Sequence, residues 1–191
     1  MSKKEHVYSL GVILTAPHVC LDTRGRLIDP GCDLNTDKYV MHLSNTIENS
    51  IVILSRTPRK RLDNNRREAR NSNMRRRLRN VMKTYHSFIL FDIHSFTHGS
   101  DFNIDANPDI VLLYLNSGRR LTRMLLKNMA RYNVSVVAIP GSTVNDIMME
   151  ASEYGVTSTL IEIRDSIDAN GEKFTSITNA IKATIKQFKS S

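Results

Sequence analysis

Short apolar runs alternate with longer amphipathic stretches along this chain, and that alternation constrains the fold more than any other feature. Strands are expected near 7–16, 51–55, 87–93, 110–115, 134–139 and 157–163. Helices are expected near 34–49, 66–84, 118–132, 143–154 and 173–189. Strands and helices taking turns in this way predict a largely parallel sheet covered on both faces. No internal repeat or low-complexity linker interrupts the pattern, and 191 residues suit one domain with a substantial core. The expectation is a single three-layer α/β domain over residues 1–191, with a mostly parallel but mixed central sheet and helices on both faces.

In open α/β sheets, chemistry collects at the carboxyl ends of strands. The run Phe88-Ile89-Leu90-Phe91 leads into Asp92 and His94, which period-two geometry points to the same side. A carboxylate there can fix an imidazole tautomer, as partners of metal-bound histidines do. A surface histidine past a strand end is the plainer reading. A second strand ends at Ala16, where Pro17 stops it and His18 follows. Two histidines at two strand ends begin to look like metal ligands. A catalytic zinc takes three protein ligands and leaves one position for water. Asp33 and Asp37 lie one turn apart near the start of a helical pattern, and either could be the third. They read equally well as ordinary acidic charge at a helix N-terminus.

Two further elements carry chemistry. The strand Thr157 to Ile163 contains one carboxylate, Glu162. It is either a general base beside a metal site or the salt-bridge partner of Arg164, its same-face neighbour. The turn Asp63-Asn64-Asn65-Arg66 can direct the Arg66 guanidinium at a carboxylate, or it can be a solvated basic loop.

Taken in order, these segments resemble a known family. They are Ala16-Pro17-His18, Cys32-Asp33, Asp63 to Arg66, Asp92 to Phe96, and Ile161 to Arg164. Their order and spacing are similar to the N-formylglutamate amidohydrolases, relatives of zinc carboxypeptidases and aspartoacylases. The resemblance implies a zinc-carboxypeptidase-like fold and a hydrolase of amide bonds carrying one Zn2+ ion. It makes His18, Asp33 and His94 the ligands, with Asp37 the rival of Asp33. Glu162 becomes the catalytic residue and Asp92 the partner of His94. Arg66, Asn65 and Arg164 become substrate-binding, toward a small acidic acyl-amino acid or peptide. The sequence departs from the family in His18-Val19-Cys20, which lacks the glycine or small polar pair common after the first histidine. Asp63-Asn64-Asn65-Arg66 also stands where Asp-Leu-Asn-Arg is typical. A zinc carboxypeptidase or peptidoglycan-type peptidase is the alternative enzyme.

The net charge of +8 is uneven. Between Arg56 and Lys83, twelve Lys or Arg face two acids, about +10, so the remainder is slightly acidic. Such a segment can bind nucleic acid weakly through phosphates, and a nucleic-acid-binding protein with a decayed active site is the reading from another class. It lacks interleaved aromatics for base stacking, which favours a solvated helix face. Arg75, Arg76 and Arg77 are expected on that face. No apolar run approaches a membrane span. The polar start, Met1 to His6, does not look like a signal peptide. Two cysteines, Cys20 and Cys32, make no disulfide framework, although they flank the metal loop and could approach each other. Reduced thiols and a cytoplasmic location are the expectation.

Overall fold

Strand β1 (Gly11–Ala16) is buried along its whole length, as a continuous apolar run should be when helices cover both faces of a sheet. A computed structural model describes residues 11–28, 31–84, 88–141 and 145–190. Parts of the predicted strand 7–16, strand 87–93 and helix 143–154 lie outside these. The chain continues through α1 (Thr36–Thr46), β2 (Ser50–Leu54), α2 (Asn73–Thr84), β3 (Phe88–Phe96) and β4 (Ile110–Tyr114). It then forms α3 (Arg119–Arg131), β5 (Val136–Pro140), α4 (Asp146–Glu153), β6 (Thr157–Arg164) and α5 (Glu172–Lys189).

The six strands form one sheet in the order β2-β1-β3-β6-β4-β5. β2, β1, β3 and β6 run parallel, and β4 pairs antiparallel with β6. The sheet is therefore mixed, as expected. β5 sits at an edge and ends in Pro140, a position where a missing ladder donor is tolerated.

One face of the sheet packs α1, α3 and α5 against Leu14, Phe91, Ile93, Leu112 and Ile161. The other packs α2 and α4 against Ile13 and Leu90. Strand alternation puts Thr15, Asp92, His94, Leu160 and Glu162 on this second face. On this face the carboxyl ends of β3 and β6 line a cleft.

The predicted helix 66–84 is divided: a 3-10 turn, Arg67–Asn71, precedes α2. Ser72 breaks the two, its hydroxyl accepting from Arg75 N at 3.1 Å. Serine competes for backbone partners in this way and favours caps over helix interiors. β3 is longer than predicted. It stays paired with β6 through His94–Glu162 and Phe96–Arg164, so His94 lies inside a strand rather than beyond its end.

Candidate active site

His18 follows β1 and is held by the loop it opens. Its carbonyl accepts from Asp33 N at 2.9 Å, and the Cys20 carbonyl accepts from Ile28 N at 2.9 Å. These bonds fold residues 18–33 back on themselves and bring Cys20 to Cys32. The thiols expected to be reduced form a disulfide, with Cα atoms 5.0 Å apart. The expectation of reduced cysteines is corrected here. The backbone closure sets the two side chains face to face, which separation in sequence does not reveal.

The same closure places Asp33 against both histidines. His18 Nδ1 lies 3.3 Å and His94 Nδ1 2.6 Å from Asp33 Oδ2. The three offer donor atoms within 4.8 Å of one another, and all three residues are buried. The imidazole rings meet edge to face at 5.1 Å. Asp37 is outside this group, half-buried in the first turn of α1.

Each outer imidazole nitrogen meets a carboxylate. His18 Nε2 is 2.8 Å from Asp63 Oδ1, and His94 Nε2 is 3.2 Å from Asp92 Oδ2. Asp92 is itself tied down, accepting from Thr15 Oγ1 at 2.5 Å and from Asn145 Nδ2 at 2.9 Å. Asn65 Nδ2 stands 3.0 Å from His94 Nε2. Burial opposes charge on His94, yet Asp92 and Asp33 hold its pKa well above the usual imidazole value. Burial also works against the Asp33 carboxylate, but His94 and His18 keep its pKa low. Three carboxylates, Asp33, Asp63 and Asp92, thus surround two imidazoles, a donor set suited to a cation.

Glu162 pairs with His94 in register on the neighbouring strand and lines the cleft. Burial pushes its carboxyl up to about 8, with Asp33 and Asp92 adding to the shift and His94 opposing it. Arg66 lines the cleft with its Nε 3.5 Å from Asp63 Oδ2. Arg59 is its neighbour there, 3.3 Å from the same oxygen. Arg164 is placed elsewhere. Its guanidinium binds Asp109 Oδ1 at 2.8 Å, and it does not line the cleft. The antiparallel strand β4 brings Asp109 beside it. That removes Arg164 from substrate contact and also from the alternative pairing with Glu162.

Asp63, Asn145, Thr15 and Arg59 were not singled out by sequence reasoning. Asp63 opens the quoted motif, and its carboxylate is oriented by Asn65 N at 2.9 Å. Asn145 caps α4, accepting from Met148 N, and carries no local signal of a role at Asp92.

The basic segment is not one solvated face. Arg75 is fully buried, against expectation. It donates to Glu150 at 2.7 Å, to Asp146 at 2.8 Å and to the Asn64 carbonyl at 2.9 Å. Arg70 and Arg79 bind the same two acids. Arg76 and Arg77 are exposed as expected. α4 supplies the acids that draw Arg75 inward, and nothing in α2 alone announces them. Among the described residues no helix is long and apolar enough to cross a membrane.

No family model matches the chain, and no curated protein matches it. Solved structures do. Gene product Atu2144 from Agrobacterium tumefaciens is similar at TM-score 0.73 and 17% identity, over 94% of this chain and 89% of that one. N-formylglutamate amidohydrolase from Ralstonia eutropha JMP134 is similar at TM-score 0.67 and 11% identity, over 95% and 94%. N-acetylmuramoyl-L-alanine amidase from Clostridium difficile 630 is similar at TM-score 0.59 and 14% identity, over 96% and 98%. At such low identities the likeness is one of fold, and that fold is the single α/β, zinc-carboxypeptidase-like architecture with a mixed sheet.

Proposed function

We propose that the protein is a zinc-dependent hydrolase of amide bonds in N-acylated amino acids or short peptides bearing a free carboxylate, similar to the N-formylglutamate amidohydrolases. The observation that carries this reading is the convergence of His18 Nδ1, Asp33 Oδ2 and His94 Nδ1 beside the cleft that Asp33, His94 and Glu162 line. Two imidazole nitrogens and one carboxylate oxygen form the donor set of a catalytic zinc site with an open position. His18, Asp33 and His94 would hold one ion. Asp63 and Asp92 on the outer nitrogens keep both Nδ1 lone pairs turned inward. When bound, zinc supplies Lewis-acid polarisation of the scissile carbonyl and lowers the pKa of water.

The chain's own groups do the rest. Glu162 takes the proton of the attacking water on its carboxylate and returns it to the departing amide nitrogen. Arg66 and Asn65 hold the substrate carboxylate, the planar guanidinium fork matching its two oxygens. Arg59, in the same cleft, adds positive charge where the oxyanion develops.

A second reading, cleavage of an amide in a peptidoglycan fragment, draws support from the amidase likeness. Nucleic-acid binding draws less support, because Arg70, Arg75 and Arg79 are engaged with Asp146 and Glu150 of α4. The cytoplasmic expectation rested on a polar start that does not look like a signal peptide and on the reduced thiols expected with it. The Cys20–Cys32 disulfide favours an oxidising compartment, where such bonds persist.

The test is elemental analysis of tag-free protein prepared without added metal, combined with hydrolysis of N-acylglutamates. About one zinc per chain and chelator-sensitive release of glutamate are expected. Full turnover after zinc removal would overturn the reading.

A further inference from the structure

Resting on the hydrolase reading, we infer that the cleft accepts a bulky apolar acyl group, an aliphatic or aromatic chain rather than formyl, on a floor made by Leu113 and Leu160. Sheet order sets the direction. Crossing the cleft from the β2 side, the chain presents Arg59 and Arg66, then His94 on β3, then Glu162 on β6, then β4. Adjacent strands lie about 4.8 Å apart, so β4 stands roughly 10 Å from the His94 column. Leu113 and Leu160 are register partners and share the face that carries Glu162.

A substrate whose carboxylate sits at Arg66 and Asn65, with its amide over His94 and Glu162, must extend its acyl group onto this floor. Met148 comes from α4, and the edge-to-face pair of Phe96 and Phe102, 5.5 Å apart, closes the other side. Asp101 is the charged residue lining that end, and it repels an anionic acyl group. The cleft measures about 570 Å³, well above what a formyl group on one amino acid fills. The gain from covering apolar walls grows with the apolar area that the occupant buries, which is where selectivity for chain length arises.

The experiment uses the zinc-loaded full chain with the formyl, acetyl, butyryl, hexanoyl and benzoyl amides of glutamate. Each added methylene in the straight chains should raise kcat/KM about three- to fourfold until the floor is covered. Calorimetric affinities for the Glu162→Gln variant, which should bind without turnover, should rise in parallel. Leu113→Gln should cut the hexanoyl-to-formyl ratio about tenfold. Profiles that are flat or fall with acyl length, in both turnover and affinity, overturn the apolar site and leave the amide hydrolase standing. Graded affinity without turnover of any member by the wild-type protein keeps the site and overturns the hydrolase reading instead.

Discussion

His18 Nε2 lies 2.8 Å from Asp63 Oδ1, so the first residue of the Asp63–Arg66 turn steadies one metal-ligand candidate while the last faces the cleft. Partners of this kind orient the ring and raise its basicity, and losing one costs roughly 10–100-fold in metal affinity. Asp63→Ala should weaken zinc binding by that amount in a chelator-competition titration. His94→Ala should remove most bound zinc, and Asp33→Ala should lower it far more than Asp37→Ala. Unchanged affinity in Asp63→Ala would reduce the contact to a structural one.

Glu162→Gln keeps the size of the side chain and removes the base. Zinc content and substrate affinity should hold while turnover falls about 10²–10⁴-fold. The metal-free protein offers a separate check through pH. A carboxyl raised to about 8 in the fold favours the protonated form. Its contribution is complete below the unfolded carboxyl pKa, about 4.3, and is lost as pH rises through 8. Melting temperatures of metal-free wild type should therefore drop more steeply between pH 5 and 9 than those of Glu162→Gln. Parallel curves would show that Glu162 is not strained by its surroundings.

Arg66→Ala should raise KM for acidic substrates, with a smaller fall in turnover from loosened positioning. The penalty should shrink when the substrate carboxylate is replaced by an amide. Equal penalties for the acid and the amide would remove Arg66 from carboxylate recognition.

Arg75 and its two neighbours should part company. Arg75→Gln takes the buried guanidinium away from Asp146 and Glu150, which keep only Arg70 and Arg79, and should cost about 1.5–3 kcal/mol in urea unfolding. Arg76→Gln and Arg77→Gln, on the exposed side, should stay within about 0.5 kcal/mol. Comparable losses at all three positions would contradict the buried network.

Replacing Cys20 and Cys32 together with serine opens the loop that joins His18 to Asp33. Constraining a loop of this length is worth about 3 kcal/mol through the unfolded chain. The double variant should melt at a lower temperature and bind zinc more weakly, because Asp33 is no longer pinned beside His18. A variant that keeps both properties would make the disulfide incidental.

The alternation of apolar runs and helical patterns was enough to determine a largely parallel sheet covered on both faces, because burial on both faces demands continuous apolar strands, but it does not record the antiparallel pairing of β4 with β6. His18, His94 and Glu162 were legible for a related reason. A polar side chain at the end of an apolar run is unusual wherever it occurs, and strand ends converge in this class of fold. Tertiary structure alone placed Asp33, and not Asp37, beside the two histidines, since that depends on a loop closure that bonds Asp33 N to the His18 carbonyl. It also joined Cys20 to Cys32, drew Arg75 inward onto acids some seventy residues away, and turned Arg164 onto Asp109. Each of these is a contact between segments distant in sequence, where the partner and not the residue itself sets the outcome. Local pattern carries no record of which segments the sheet order will bring together.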